Sequence, residues 1–102
     1  MQPRDIQGLQ RAIQEMHGCD SRHTDSVSVY ERFQGGISWH GTVEVFELSR
    51  HEKAKQCYAW QYRDRDEIET VTVLEIPPVD SPQTAVKVAI SALASAKFCH
   101  SN

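Results

Sequence analysis

His40 and Glu44 are the two residues whose types and spacing come closest to acid–base chemistry. They lie four positions apart in a segment that alternates like a β-strand, so their side chains share one side unless Gly41 breaks the register. A carboxylate beside an imidazole raises the pKa of the imidazole and orients it for proton transfer. On an exposed strand such a pair is more often a surface contact, and no phosphate loop, nucleophile elbow or carboxylate cluster accompanies it. We therefore predict no catalytic residue, and a small enzyme using His40 and Glu44 is the third hypothesis.

A short basic segment offers a different chemistry, contact with phosphate. Arg50, His51, Lys53 and Lys55 form the only basic cluster of the sequence, between two predicted strands. The whole chain has 11 Lys and Arg against 14 Asp and Glu, a formal net charge of -3, so no overall field attracts nucleic acid or anionic membranes. The simpler interpretation is that the cluster is a solvent-exposed loop without a binding role. A nucleic-acid-binding domain, with an aromatic stacking platform and this basic loop at its edge, is the second hypothesis.

The cysteines and histidines do not form a recognisable metal site. Cys19 with His23, and Cys99 with His100, match none of the usual spacings of paired zinc ligands. Three cysteines also give an odd number, which argues against a disulfide framework. Cys57 is a conceivable nucleophile, but nothing basic adjoins it in the sequence, and its strand position favours inert burial. We expect free thiols, no metal and no cofactor.

Two helices are predicted, one near each end of the sequence. Apolar residues at three- and four-residue spacing predict the first over about residues 4–17, and Gly18 ends it because glycine takes the left-handed conformation without steric cost. The second is predicted over about residues 82–98, where Asp80 or Ser81 can cap the first turn and a proline occupies the first helical position. This second helix is rich in alanine, so its axis can lie close to whatever it packs on.

Four strands are predicted between the helices. Alternation of apolar and polar residues places them at about residues 26–33, 37–48, 54–62 and 68–76. Gly35-Gly36 marks a hairpin turn, and every connection between strands is short enough for antiparallel neighbours. We predict one α+β domain over residues 1–102, a two-layer sandwich in the order α-β-β-β-β-α, with both helices on one face of an antiparallel sheet.

The predicted sheet is apolar on both faces, which two helices on one side could not cover. The third strand alternates three aromatic residues with two small ones. If the small residues pack beneath the alanine-rich helix, the aromatic residues turn outwards, and an exposed aromatic patch usually marks a contact surface. The alternative is that the aromatic residues form the core and the small ones face water. The leading hypothesis is a non-enzymatic interaction module that dimerises, or docks a protein partner, through the aromatic face.

The predicted binding residues belong to the aromatic face and to the basic loop with its neighbouring strand. They are Trp39, Tyr58, Trp60, Tyr62, His40, Arg50, His51, Lys53 and Lys55. Hydrophobic residues make up 39% of the chain and charged residues 25%, a globular balance rather than a disordered one. The first seven residues carry no apolar segment of a secretory signal, and the longest apolar run, residues 85–96, is interrupted by Lys87. We expect a cytoplasmic protein without membrane contact.

Overall fold

The structure, a computed structural model, describes residues 5–32, 36 and 38–99, without the side chains of residue 64 and of residues 93–99. Its elements are α1 (Ile6–His17), β1 (Ser21–Arg32), β2 (Ser38–Leu48), β3 (Gln56–Asp64), β4 (Glu67–Leu74) and α2 (Pro82–Cys99). The strands pair antiparallel in the order β1-β2-β3-β4, so β1 and β4 are the two edges of the sheet. The α+β class and the predicted element order are confirmed. Of the predicted Gly35-Gly36 turn, only Gly36 lies within the described residues.

Local hydrogen bonds define both ends of α1 and the start of α2. Asp5 caps α1, and its carboxylate accepts the backbone N–H of Gly8 at 2.9 Å. Gly18 ends α1 in the left-handed conformation, with a φ of 71°. At the start of α2, the Ser81 hydroxyl accepts the N–H of Thr84 at 3.2 Å, and the Thr84 hydroxyl accepts the N–H of Ser81 at 3.0 Å. These reciprocal bonds satisfy amide groups that the first helical turn leaves without partners.

The helices cover opposite faces of the sheet, so the prediction of both on one face of a two-layer sandwich is wrong. One buried cluster joins α1 to the first face, through Leu9, Ile13, Phe46, Leu48, Cys57 and Ala59. A second cluster joins α2 to the other face, through Val43, Val45, Tyr58, Trp60, Ala85 and Val86. Adjacent residues of β2 and of β3 fall in different clusters, as the alternation of a strand requires. The sheet therefore lies between one helix on each side.

Complementary side-chain size accounts for this arrangement. The large residues Leu9 and Ile13 of α1 pack over the small residues Cys57 and Ala59, whereas the alanine-rich α2 packs over the aromatic residues. Protein interiors reach crystal-like packing density when large side chains face small ones. The expectation that small sheet residues pack beneath an alanine-rich helix would have placed small side chains against small ones. The expected outward turn of the aromatic residues is accordingly wrong for two of them. Tyr58 is 2% exposed and Trp60 is 1% exposed.

Strand β1 starts five residues earlier than predicted and carries a bulge. The strand was predicted to begin at about residue 26, but Ser21 already pairs with Leu48 of β2. The register shifts between His23 and Asp25, which leaves Thr24 as the extra residue. No shift separates the pairs on either side of Gly41, where a bulge was expected. The bulge reverses the alternation of β1, so His23 before it and Ser26 after it point to the same face.

Candidate functional site

Strand β4 forms an open edge of the sheet. It pairs with β3 on one side, and among the described residues no backbone hydrogen bond joins its other side to any element. Its sequence, from Glu67 to Leu74, contains neither proline nor lysine, the residues with which proteins commonly block an edge. It is rich in β-branched residues, which favour extended pairing. β4 therefore offers a template for one more strand.

Strand β1, at the opposite edge, is protected. The side-chain amide of Gln10 in α1 donates to the backbone carbonyl of Ser21 at 3.0 Å, and that of Gln83 in α2 donates to the carbonyl of Tyr30 at 3.2 Å. The bulge at Thr24 also twists the strand locally. Each helix thus secures one end of β1, and among the described residues β4 receives no such side-chain donor to its backbone.

A cleft of about 430 Å³ runs along the open edge, and we name it the edge cleft. Its lining residues come from β4, from β3 and from both helices: Met16, Tyr62, Glu69, Thr70, Val71, Thr72, Val73 and Ala89. Val71 and Val73 belong to the face under α2, whereas Met16 of α1 contacts Thr72 on the other face. The cleft therefore follows the edge of β4 between the two helices. Met16 is 59% exposed at its rim.

A second group of polar side chains lies on the α1 face, and we name it the polar cluster. The Glu44 carboxylate, 1% exposed, bonds His23 Nε2 at 2.9 Å and accepts the hydroxyl of Ser26. The His23 ring also packs against Phe46, with centroids 5.3 Å apart. Glu44 is bonded to His23 and Ser26 rather than to His40, because residues four apart on a strand are separated by about 13 Å. The ring of His40 instead packs edge-on against Tyr30, at 5.9 Å.

The polar cluster does not have the geometry of a nucleophilic relay. In a serine–histidine–carboxylate relay the carboxylate holds one ring nitrogen and the hydroxyl approaches the other. Here Ser26 Oγ lies 3.3 Å from His23 Nε2, the same nitrogen that contacts Glu44. The hydroxyl also bonds the carboxylate directly. The arrangement satisfies a buried carboxylate rather than activating a nucleophile.

Comparison with models of protein families, with curated proteins and with solved structures found no significant match. Function must therefore be argued from the geometry of this chain alone. Across residues 5–32, 36 and 38–99, no helix is long and apolar enough to cross a membrane. The same residues contain no group of three or more side chains placed to hold a metal ion. Of the pairs considered as ligands in the sequence, Cys99 and His100 lie outside the described side chains.

The predicted aromatic platform is mostly core. Trp39 packs edge-on against Trp60, with ring centroids 5.6 Å apart, under the α2 side of the sheet. The hydroxyl of Tyr58 donates to the Glu75 carboxylate, and burial together with that carboxylate raises the pKa of Tyr58. Only Tyr62 reaches a candidate site, because its half-buried ring lines the edge cleft. Tyr58 and Trp60 are thus inaccessible for stacking with a nucleobase.

The basic loop borders a separate cleft at the C-terminal end of α1, which we name the loop cleft. It measures about 330 Å³ and is lined by His17, Gly18, Cys19, Arg50, His51, Glu52 and Lys53. Lys55 is exposed outside it. The sequence grouped the basic residues correctly, but it gave no sign that His17 lies beside them, because His17 and Arg50 are 33 positions apart along the chain.

The buried thiol of Cys57 is not a candidate nucleophile. Cys57 is fully buried between α1 and the sheet, and burial raises its pKa to about 12. The thiolate is the reactive form of cysteine, so this side chain is inert at neutral pH. Cys19 is also buried with a raised pKa, and neither residue forms a disulfide.

Proposed function

We propose that this chain is a non-enzymatic interaction module that accepts an extended segment of a partner protein as a fifth strand on β4. The observation that carries the proposal is the difference between the two edges: β1 is secured by side chains of both helices, while β4 faces the edge cleft. Strand addition of this kind is a recurring mode of peptide recognition. The leading hypothesis from the sequence is thus retained as an interaction module, with its surface moved from the aromatic face to the β4 edge.

The edge cleft supplies both affinity and selectivity to such a strand. Backbone hydrogen bonds along β4 bind any extended segment, and side-chain pockets on the two faces select among sequences. On the α2 face, Val71, Val73 and Ala89 form an apolar floor for small or β-branched residues. On the α1 face, the flexible thioether of Met16 can adapt to different side chains.

Charge favours a basic partner segment, because glutamates are the only charged residues from position 67 to position 75. Glu69 lines the edge cleft, and Glu67 and Glu75 lie near its ends. Two copies of β4 paired antiparallel about Val71 would place Glu67 opposite Glu75, and pairing about Thr72 would place Glu69 opposite Glu75, whereas pairing about Thr70 brings no two carboxylates opposite each other. Like charges directly opposite each other destabilise a sheet. A foreign strand with Lys or Arg at these positions would instead be stabilised.

The proposal is tested by selecting ten-residue peptides from a random library on the immobilised protein and measuring their affinity by fluorescence anisotropy. We expect extended peptides with basic residues, and amide shifts in NMR spectra concentrated on β4. Thr70→Lys, which places a blocking charge on the open edge, should weaken binding at least tenfold, or about 1.4 kcal/mol. Ser28→Lys adds the same charge to β1 and should change affinity less than twofold.

Selected peptides that bind Thr70→Lys and the unmodified protein equally well would refute the proposal. So would a selection that yields no peptide perturbing the amides of β4. If sedimentation shows a concentration-dependent dimer that Thr70→Lys abolishes, β4 remains the binding edge, but its partner is a second copy of the chain and not a foreign segment.

A further inference from the structure

We propose that the loop cleft binds a phosphate monoester dianion between Arg50, His51, Lys53 and His17. This cleft is distinct from the edge cleft, although His17 contacts both, because its Nε2 bonds the Thr72 hydroxyl of β4 at 2.9 Å. It lies where the connection between β2 and β3 meets the end of α1.

The loop that carries the cationic residues is held in a defined shape. Leu48 N–H donates to the Lys55 carbonyl at 2.8 Å, which closes the base of the loop, and Ser49 N–H donates to the Asp20 carbonyl at 3.0 Å, which ties the loop to the connection between α1 and β1. His51 closes the loop from inside, because its Nδ1 accepts the backbone N–H of Lys53 at 3.1 Å and of Ala54 at 2.9 Å. A preformed loop loses little entropy when a ligand binds.

These bonds also fix the direction in which His51 can donate. With Nδ1 accepting two backbone N–H groups, the ring proton of neutral His51 lies on Nε2. That nitrogen is left as a hydrogen-bond donor for an anion. Arg50 has a φ of 64°, a left-handed conformation that costs free energy in a non-glycine residue and often marks a functional position.

The charges at the cleft are unbalanced in favour of an anion. Arg50 and Lys53 form no ion pair with any residue that the structure describes, while the ion pairs of Arg22 and Lys87 lie elsewhere. Glu52 is the one carboxylate among the lining residues. His17 and His51 are close enough that the charge of His51 adds to burial in lowering the pKa of His17. A dianion beside them would offset this repulsion and accept a hydrogen bond from His51 Nε2, whereas Nε2 of His17 already bonds the Thr72 hydroxyl at 2.9 Å.

The chemistry of the ligand follows from the size of the cleft and the charge of the chain. A volume of about 330 Å³ is at the lower end of the range for small-ligand sites and accommodates a phosphate group with a small substituent. A single cleft on a chain of net charge -3 does not provide the series of phosphate contacts with which proteins bind polymeric nucleic acid. The group recognised is therefore one terminal phosphate, on a phosphorylated side chain or on a small metabolite.

Calorimetric titration at constant ionic strength tests the site with three probes: inorganic phosphate, a phosphoserine peptide and a nucleoside 5′-monophosphate. We expect saturable binding of one molecule per chain, and the tighter of the two esters identifies the source of the phosphate. Lys53→Gln and Arg50→Asn should each weaken binding at least fivefold. Asparagine is chosen at position 50 because it tolerates the left-handed conformation. Lys55→Gln removes the same charge from the same loop outside the cleft and should change affinity less than twofold.

Equal effects of Lys53→Gln and Lys55→Gln would show a diffuse response to loop charge and would overturn the site. Absence of saturable binding by all three probes would overturn it as well. An NMR titration supplies an independent measurement, because a bound dianion should shift the ring signals of His17 and His51 before those of the distant His40.

Discussion

Helix α2 places two valines of equal size in opposite environments, so truncating them tests its orientation on the aromatic face. Val86 is 0% exposed within the cluster that contains Tyr58 and Trp60, whereas Val88 is 40% exposed. Val→Ala removes two carbon atoms, worth about 1.6 kcal/mol when fully buried. At Val86 the cavity adds about 1 kcal/mol. At Val88, where part of the side chain already faces water, the loss is about 1 kcal/mol without a cavity.

The intrinsic helix propensity gained by alanine, about 0.5 kcal/mol, applies at both positions and cancels in their difference. We therefore expect Val86→Ala to lower the free energy of unfolding by about 2 kcal/mol and Val88→Ala by about 0.5 kcal/mol. Urea unfolding followed by tryptophan fluorescence measures both, and with a slope of about 1.5 kcal/mol/M the midpoints should differ by about 1 M. Circular dichroism of both variants provides the control that α2 remains helical.

Equal losses at the two positions, or a larger loss at Val88, would refute the orientation of α2 in which Val86 faces the sheet. The measurement thus tests which side of α2 packs on the sheet.

Two further predictions concern titratable groups whose pKa is shifted by burial. Burial and the charge of His51 lower the pKa of His17 below 6.5, so the folded state disfavours its protonated form. The free energy of unfolding should therefore decrease as pH falls from about 6.5 through the folded pKa. His17→Gln should flatten that part of a plot of unfolding free energy against pH. An unchanged curve would contradict this assignment. Cys57 is buried and has a pKa of about 12, so at pH 8 it should react with a thiol reagent only as fast as the protein unfolds. The labelling rate is measured in a variant with Cys19 and Cys99 replaced by serine. Complete labelling within the mixing time would show that the thiol is accessible and contradict the prediction.

Much of the fold could be predicted because its patterns are local. Helical spacing and capping residues located both helices, and alternation located the strands and sorted β3 correctly into Tyr58 and Trp60 on one face, with Cys57 and Ala59 on the other. The face taken by each helix could not be read in this way. Both faces are apolar, so hydrophobicity does not choose between them, and the choice depends on fitting large side chains to small ones across layers.

The candidate sites depend on longer-range information. His23 was not recognised as the partner of Glu44, because the extra residue Thr24 reverses an alternation that the sequence shows as continuous. The polar start of β1 likewise resembles a loop until its pairing with β2 is known. The open edge at β4 follows from the strand order, and short connections already indicated that order. What the sequence could not show is that, within the part of the chain that the structure describes, side chains from both helices bond the backbone of β1 and none bonds that of β4.

The difference between the β1 and β4 edges of the sheet limits the number of partner strands that one chain can bind. A sheet can extend from molecule to molecule without limit only if both of its edges are free to pair, one with the preceding molecule and one with the next. Here Gln10 and Gln83 occupy carbonyl groups on one border, and the bulge at Thr24 bends it. Recruitment through β4 should therefore stop after a single guest, which gives a one-to-one complex instead of a fibre.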